Sequence, residues 1–149
     1  YLALRDLLGD AEFKKCLLEF MNRWNGKHPL PWDMFNTFNN VSGKDLNWFF
    51  QSWFFSNGYI DLAVENVTAT DKGFSVTLKN IGGFVAPVNF VVKYEDGSTE
   101  KIHQTPDIWS KNQSSATVEI ARPKKVKSLI LDGDIFMDFD ETNNMWEGK

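Results

Sequence analysis

The apolar residues change their period near residue 58. Before that point they recur at helical spacing; after it they alternate. Residues 2–8, LALRDLL, read as a helix stopped at Gly9. Asp10 is then expected to N-cap a second helix, its carboxylate accepting from the free amides of the next turn. Phe13, Cys16, Leu17, Phe20, Met21 and Trp24 follow as one stripe. Gly26 and the prolines at 29 and 31 end that helix. A short third helix is predicted from Pro31 to about Asn39, with Phe35 and Phe38 facing inward. Ser42 and Asp45 form a capping-box-like start, S-x-x-D, for a fourth helix over Lys44 to Ser56 that closes at Asn57-Gly58.

The remainder reads as strands. Ile60, Leu62 and Val64 alternate with small or polar residues, and Phe74, Val76 and Leu78 do so after an Asp71-Lys72-Gly73 turn. Val88, Phe90, Val92 and Tyr94 give the cleanest alternation, and Asp96-Gly97 is a hairpin signal leading into Ser98 to Gln104. Further strands are predicted around Ala116, Val118 and Ile120, and from Val126 to Asp132. The expected class is α+β. Three to four helices over 1–58 precede an antiparallel β-sandwich of six to seven strands over 59–149.

The fourth helix carries more aromatic surface than one buried face needs. Projected at about 100° per residue, Leu46, Phe49, Phe50, Trp53 and Phe54 form a core stripe, while Trp48 and Phe55 fall almost opposite. One reading packs the first face on helices and the second on the β-rich part. The sharper reading leaves one face for a part of the protein outside this chain, because an exposed apolar patch usually marks an interface.

Composition narrows the class. With 42% hydrophobic and 24% charged residues the chain is globular, not disordered. A net charge of −4 gives no reason to expect nucleic acid or an anionic membrane as partner, and no apolar run is long enough to span a bilayer. Cys16 is the single cysteine, so no internal disulfide forms and a structural zinc site is not expected. The 13 Phe, 6 Trp and 3 Tyr crowd into the first third. A chain that starts at Tyr1 directly in a helical pattern is expected to be a truncated or processed product.

The first 64 residues carry a recognisable order of motifs. Leu4, Arg5, Gly9 and Asp10 form a Leu-Arg-x-x-x-Gly-Asp turn; Phe13, Leu17 and Phe20 follow on a helix. Then come Ser42-Gly43-Lys44-Asp45-Leu46, the Phe49-Phe50-x-x-Trp53 run and Gly58-Tyr59. This succession resembles the end of the catalytic domain of M1 family (gluzincin) zinc aminopeptidases, which passes at such a Gly-Tyr turn into a β-sandwich. The resemblance implies a parent that removes N-terminal residues from peptides with zinc as cofactor, and an extracytoplasmic bacterial location by analogy with the family's shorter members.

The family's zinc motif, H-E-x-x-H with a later Glu, does not occur in this chain, nor does its G-x-M-E-N exopeptidase motif. His28 and His103 stand in no ligand-spaced cluster, and Tyr1 starts too late to match the family's transition-state tyrosine. The expectation is therefore a non-catalytic C-terminal fragment with no catalytic, cofactor-binding or metal residue of its own. Zinc would be held in the parent by ligands outside this chain. Its partners would be the upstream remainder of the polypeptide, with peptide substrate met only by the parent, and self-association through exposed aromatics is open. The alternative is a non-catalytic interaction module that binds sugar or protein through Trp48 or Trp53.

Three further features have ordinary readings beside functional ones. Asp132, Asp134, Asp138, Asp140 and Glu141 form an acidic segment whose spacing departs from the EF-hand loop; it reads as capped turns, with calcium as the alternative. Arg122-Pro123-Lys124-Lys125-Val126-Lys127 reads as a solvated basic turn, with a phosphate or partner site as the alternative. Cys16 lies on the apolar stripe of its helix and reads as an inert buried thiol.

Overall fold

The computed structural model describes residues 1–148. Four helices, α1 (Leu2–Leu8), α2 (Asp10–Trp24), α3 (Pro31–Ser42) and α4 (Asn47–Phe55), precede seven strands. The chain divides into two compact units, Tyr1–Ser56 and Asn57–Lys149.

In the helical unit, the core forms where Ala3, Leu4 and Leu7 of α1, Cys16 of α2, Met34, Phe35 and Phe38 of α3, and Leu46, Phe49 and Phe50 at α4 are buried. Asp10 does not cap α2 as expected. Its carboxylate takes a two-pronged ion pair from Arg5, with Nε at 2.6 Å and Nη2 at 2.9 Å, and Gly9 holds the cap position. The nearby guanidinium outcompetes backbone amides for the same oxygens, and it holds the Asp10 carboxyl below its ordinary value. α3 runs three residues beyond the predicted end. Ser42 Oγ donates back to Phe38 O at 2.7 Å, and the helix closes on Gly43, whose φ of 65° suits a residue without Cβ.

Ser42 thus belongs to α3 and does not open α4. Asp45 Oδ1 accepts from Asn47 N at 3.0 Å, and Asn39 reaches across from α3 to accept from Leu46 N at 2.9 Å. The stripe of α2 is only partly covered. Cys16 is buried, while Leu17 and Met21 are exposed.

In the β unit, β1 (Leu62–Thr70), β2 (Gly73–Asn80) and β5 (Ser115–Ile120) form one sheet in the order β1-β2-β5. The second sheet has the order β4-β3-β6-β7, from β3 (Val88–Tyr94), β4 (Thr99–Gln104), β6 (Val126–Asp132) and β7 (Met145–Glu147). Every pairing of named strands is antiparallel. The predicted inward sets are buried: Phe74, Val76 and Leu78; Val88, Phe90, Val92 and Tyr94; Ala116, Val118 and Ile120. Side chains alternate across a pleated strand, so each set faces the same core.

β1 departs from the simple alternation. A register shift between Val64 and Asn66 makes Glu65 the extra residue, so the buried positions are Leu62 and then Val67. Two features escape the period-two reading. Pro106–Trp109 forms a 3-10 turn that buries Trp109, whose Nε1 donates to Ala86 O at 2.9 Å. β7 is only three residues long and pairs Trp146 with Leu129.

Candidate functional site

α4 ends in a cluster of rings. Phe35 stacks on Phe50 at 4.3 Å between centroids, Phe54 lies 5.0 Å from Phe35, and Phe55 meets Trp32 in a parallel stack at 4.8 Å. Phe35 and Phe50 are buried, but Trp32, Phe54 and Phe55 are exposed, as is Leu30 beside Pro31 at the start of α3. The projection assigned Phe54 to the core stripe. The structure instead buries Ser52, whose carbonyl accepts from Ser56 Oγ, and turns Phe54 outward. Trp48 and Trp53, the residues of the sugar-binding reading, are half-buried and each contacts Phe49. The open aromatic surface of this unit is therefore centred on Trp32, Phe54 and Phe55.

The basic turn after β5 meets the acidic side of the β3–β4 hairpin. Arg122 Nε donates to Glu100 at 3.0 and 3.2 Å, Lys124 Nζ lies 3.0 Å from Asp96, and Lys125 is 3.9 Å from Glu95. Tyr94 Oη donates to Glu100 at 2.9 Å, and Lys124 Nζ sits 5.2 Å from the Tyr94 ring centre. Burial, reinforced by Glu100, pushes the Tyr94 phenol up to about 12. Hydrogen bonds from Ser98 and Lys124 hold Asp96 down at about 2. Three of the turn's cations thus face carboxylates, which leaves little net positive charge to attract a phosphate.

The acidic segment between β6 and β7 is a series of capped turns. Asp132 pairs with Lys101 at 2.8 Å and accepts from Asp134 N at 3.0 Å. Asp138 accepts from Asp140 N and from Leu62 N, and Asp140 caps a 3-10 turn at Glu141–Asn143. Ile135, Met137 and Phe139 point outward between these acids.

Among solved structures, the chain is similar to aminopeptidase A of Legionella pneumophila, determined in complex with aspartic acid. The TM-score is 0.58 and the identity 18%; the likeness covers 82% of this chain and 15% of that one. Over that share the chain has the fold of the corresponding part of the neighbour. The likeness takes in residues of both compact units, while the chain spans well under a quarter of the neighbour's length. No protein-family model and no curated protein matches the sequence.

The residues present do not fit a peptidase zinc. His28 and His103 are both exposed and lie in different units, and His103 Nδ1 is engaged with Asn89 Oδ1 at 2.9 Å. Cys16 is buried with its Sγ directed at Phe38 O, and burial pushes its thiol above the ordinary value. Among the described residues, no group of three His, Cys, Asp or Glu side chains is arranged to hold a metal ion. The open ring surface was partly legible in sequence, because Phe55 projects opposite the core stripe. Trp32 was not, since no local period links it to α4.

Proposed function

We propose that this chain is the C-terminal part of an M1 family zinc aminopeptidase, contributing the last helices of the catalytic domain and the adjoining β-sandwich. The reading rests on one observation above others: a fold shared over 82% of the chain with a segment of an aminopeptidase. It is supported by the passage from α4 through Gly58-Tyr59 to β1, the order in which the family's motifs run. The parent hydrolyses N-terminal residues from peptides, with zinc held by groups upstream of Tyr1. The Trp32–Phe54–Phe55 surface packs against that upstream portion, which is how an apolar face of this size avoids water in the parent.

Two assays test this. The purified 149-residue chain supplied with zinc is expected to give no turnover of aminoacyl-arylamides. The same chain expressed with its upstream coding region is expected to give turnover that a chelator abolishes. Zinc-dependent turnover by the chain alone, or an upstream region without H-E-x-x-H, would overturn the proposal.

A further inference from the structure

The start of β1 and the segment between β6 and β7 are tied side by side. Phe139 N donates to Ile60 O at 2.9 Å, and Leu62 N donates to Asp138 Oδ2 at 2.9 Å. The Asp138 carboxylate therefore lies next to the peptide group that follows Asp61. The Asn144 amide group donates towards the same carboxylate, and the charge of Asp61 acts on it. The start of β1 and the β6–β7 connection thus meet at these side chains.

Some of the oxygens there are buried without a donor. Asp61 and Asn144 are each only 5% exposed. Asp61 Oδ1 and Asn144 Oδ1 are both buried without a hydrogen-bond partner, and Asn143 Oδ1 in the same turn is a third such atom. None of the ion pairs formed by lysine or arginine among the described residues reaches Asp61 or Asp138. A buried acceptor left without a donor costs on the order of 1–3 kcal/mol, more if it is charged. One of these three unpartnered oxygens belongs to a carboxylate, Asp61, whose charge acts on the neighbouring Asp138 carboxylate, and two negative groups so placed repel one another unless a positive species lies between them.

We propose that Asp61, Asp138 and Asn144 form a binding site for a hard divalent cation, Ca²⁺, which clamps the start of β1 to the β6–β7 connection. The donor set decides the class of ion. It contains carboxylate and amide oxygens with no imidazole or thiolate, which disfavours zinc and copper. Two carboxylates balance a double positive charge. The ligands come from an irregular turn and a strand start, and Ca²⁺ tolerates such irregular shells of six to eight oxygens where Mg²⁺ demands an octahedron. This site is independent of the peptidase reading and lies wholly within the β unit.

The test uses the full chain freed of divalent ions with a chelator, then titrated with CaCl₂ by calorimetry and by thermal unfolding. Saturable binding of one ion is expected, with a Tm that keeps rising as Ca²⁺ exceeds its dissociation constant. MgCl₂ and NaCl at matched ionic strength are expected to give much smaller shifts. Asp61→Asn should weaken binding by at least about tenfold, the scale of losing one charged ligand. Asn144→Asp, which adds a third carboxylate and stays close in shape, should tighten it. Amide chemical shifts should move at Asp61, Leu62 and Asn144. No binding up to about 10 mM CaCl₂, weaker than the weakest extracellular calcium modules, would overturn the proposal. So would binding unchanged in both variants, or shifts confined to Asp132 and Asp134.

Discussion

Trp32 lies flat against Phe55, the ring centroids 4.8 Å apart and the planes 11° from parallel, yet the two residues remain 56% and 44% exposed. A stack of this kind contributes about 0.5–1.5 kcal/mol beyond burial and still leaves large apolar faces in water. The isolated chain is therefore expected to self-associate at high concentration. Trp32→Asp combined with Phe55→Asp should shift its sedimentation to a monomer while far-UV circular dichroism stays unchanged. A wild-type chain that sediments as a monomer throughout would refute this.

Phe38 is the opposite case. It is completely buried, meets Phe13 edge-on at 5.8 Å, and its carbonyl receives both the Ser42 hydroxyl and the Cys16 thiol. Phe38→Ala should cost about 3–5 kcal/mol, from lost transfer energy plus the cavity left behind. Leu18→Ala, on the exposed face of α2, should change stability by no more than about 0.5 kcal/mol. Urea unfolding followed by tryptophan fluorescence measures both.

Tyr94 makes the β unit sensitive to alkali. Its phenol, ordinarily at 10, is pushed up to about 12 because burial and the Glu100 carboxylate both disfavour the phenolate. The folded state therefore favours the protonated form. The corresponding stability is fully present below pH 10 and is lost as pH rises towards about 12. The difference is on the order of 2 kcal/mol. Denaturant midpoints should fall more steeply across that window in the wild type than in Tyr94→Phe; parallel curves would contradict the assignment.

Gly82 sits where backbones touch. A Cβ placed there would collide with the Tyr59 carbonyl and come within 3.0 Å of Asp61 N. Those atoms belong to the link in which Tyr59 N donates to Gly82 O at 2.9 Å and Gly82 N to Asp61 O at 3.1 Å. Gly82→Ala should destabilise the β unit by about 1–3 kcal/mol, because neither backbone has room to yield. Gly26→Ala meets no neighbouring atom and should cost less, although its φ of 70° strains a residue with Cβ. Thermal unfolding of the two variants distinguishes the effects.

The helices and the longer strands were legible because each carries its own period. Phe74, Val76 and Leu78 face the core simply because strand side chains alternate. What was not legible depended on partners distant in sequence. Asp10 had the makings of a cap until Arg5 claimed its carboxylate, and Ser42 signalled a helix start while ending α3. β7 is too short to show alternation and exists because β6 offers it an edge. The same limit applies to the sites. Asp138 stood out in the acidic segment, but Asp61 lies far earlier in the chain, and only the tie between Leu62 N and Asp138 brings it there.

The outer strands of the two sheets are β1, β5, β4 and β7. β1 shifts register at Glu65, β4 carries Glu100, Lys101 and His103, β5 carries Glu119, and β7 stops after three residues. Each of these discourages another chain from extending the ladder. Amyloid-like growth by strand addition is thus disfavoured at all four of these edges.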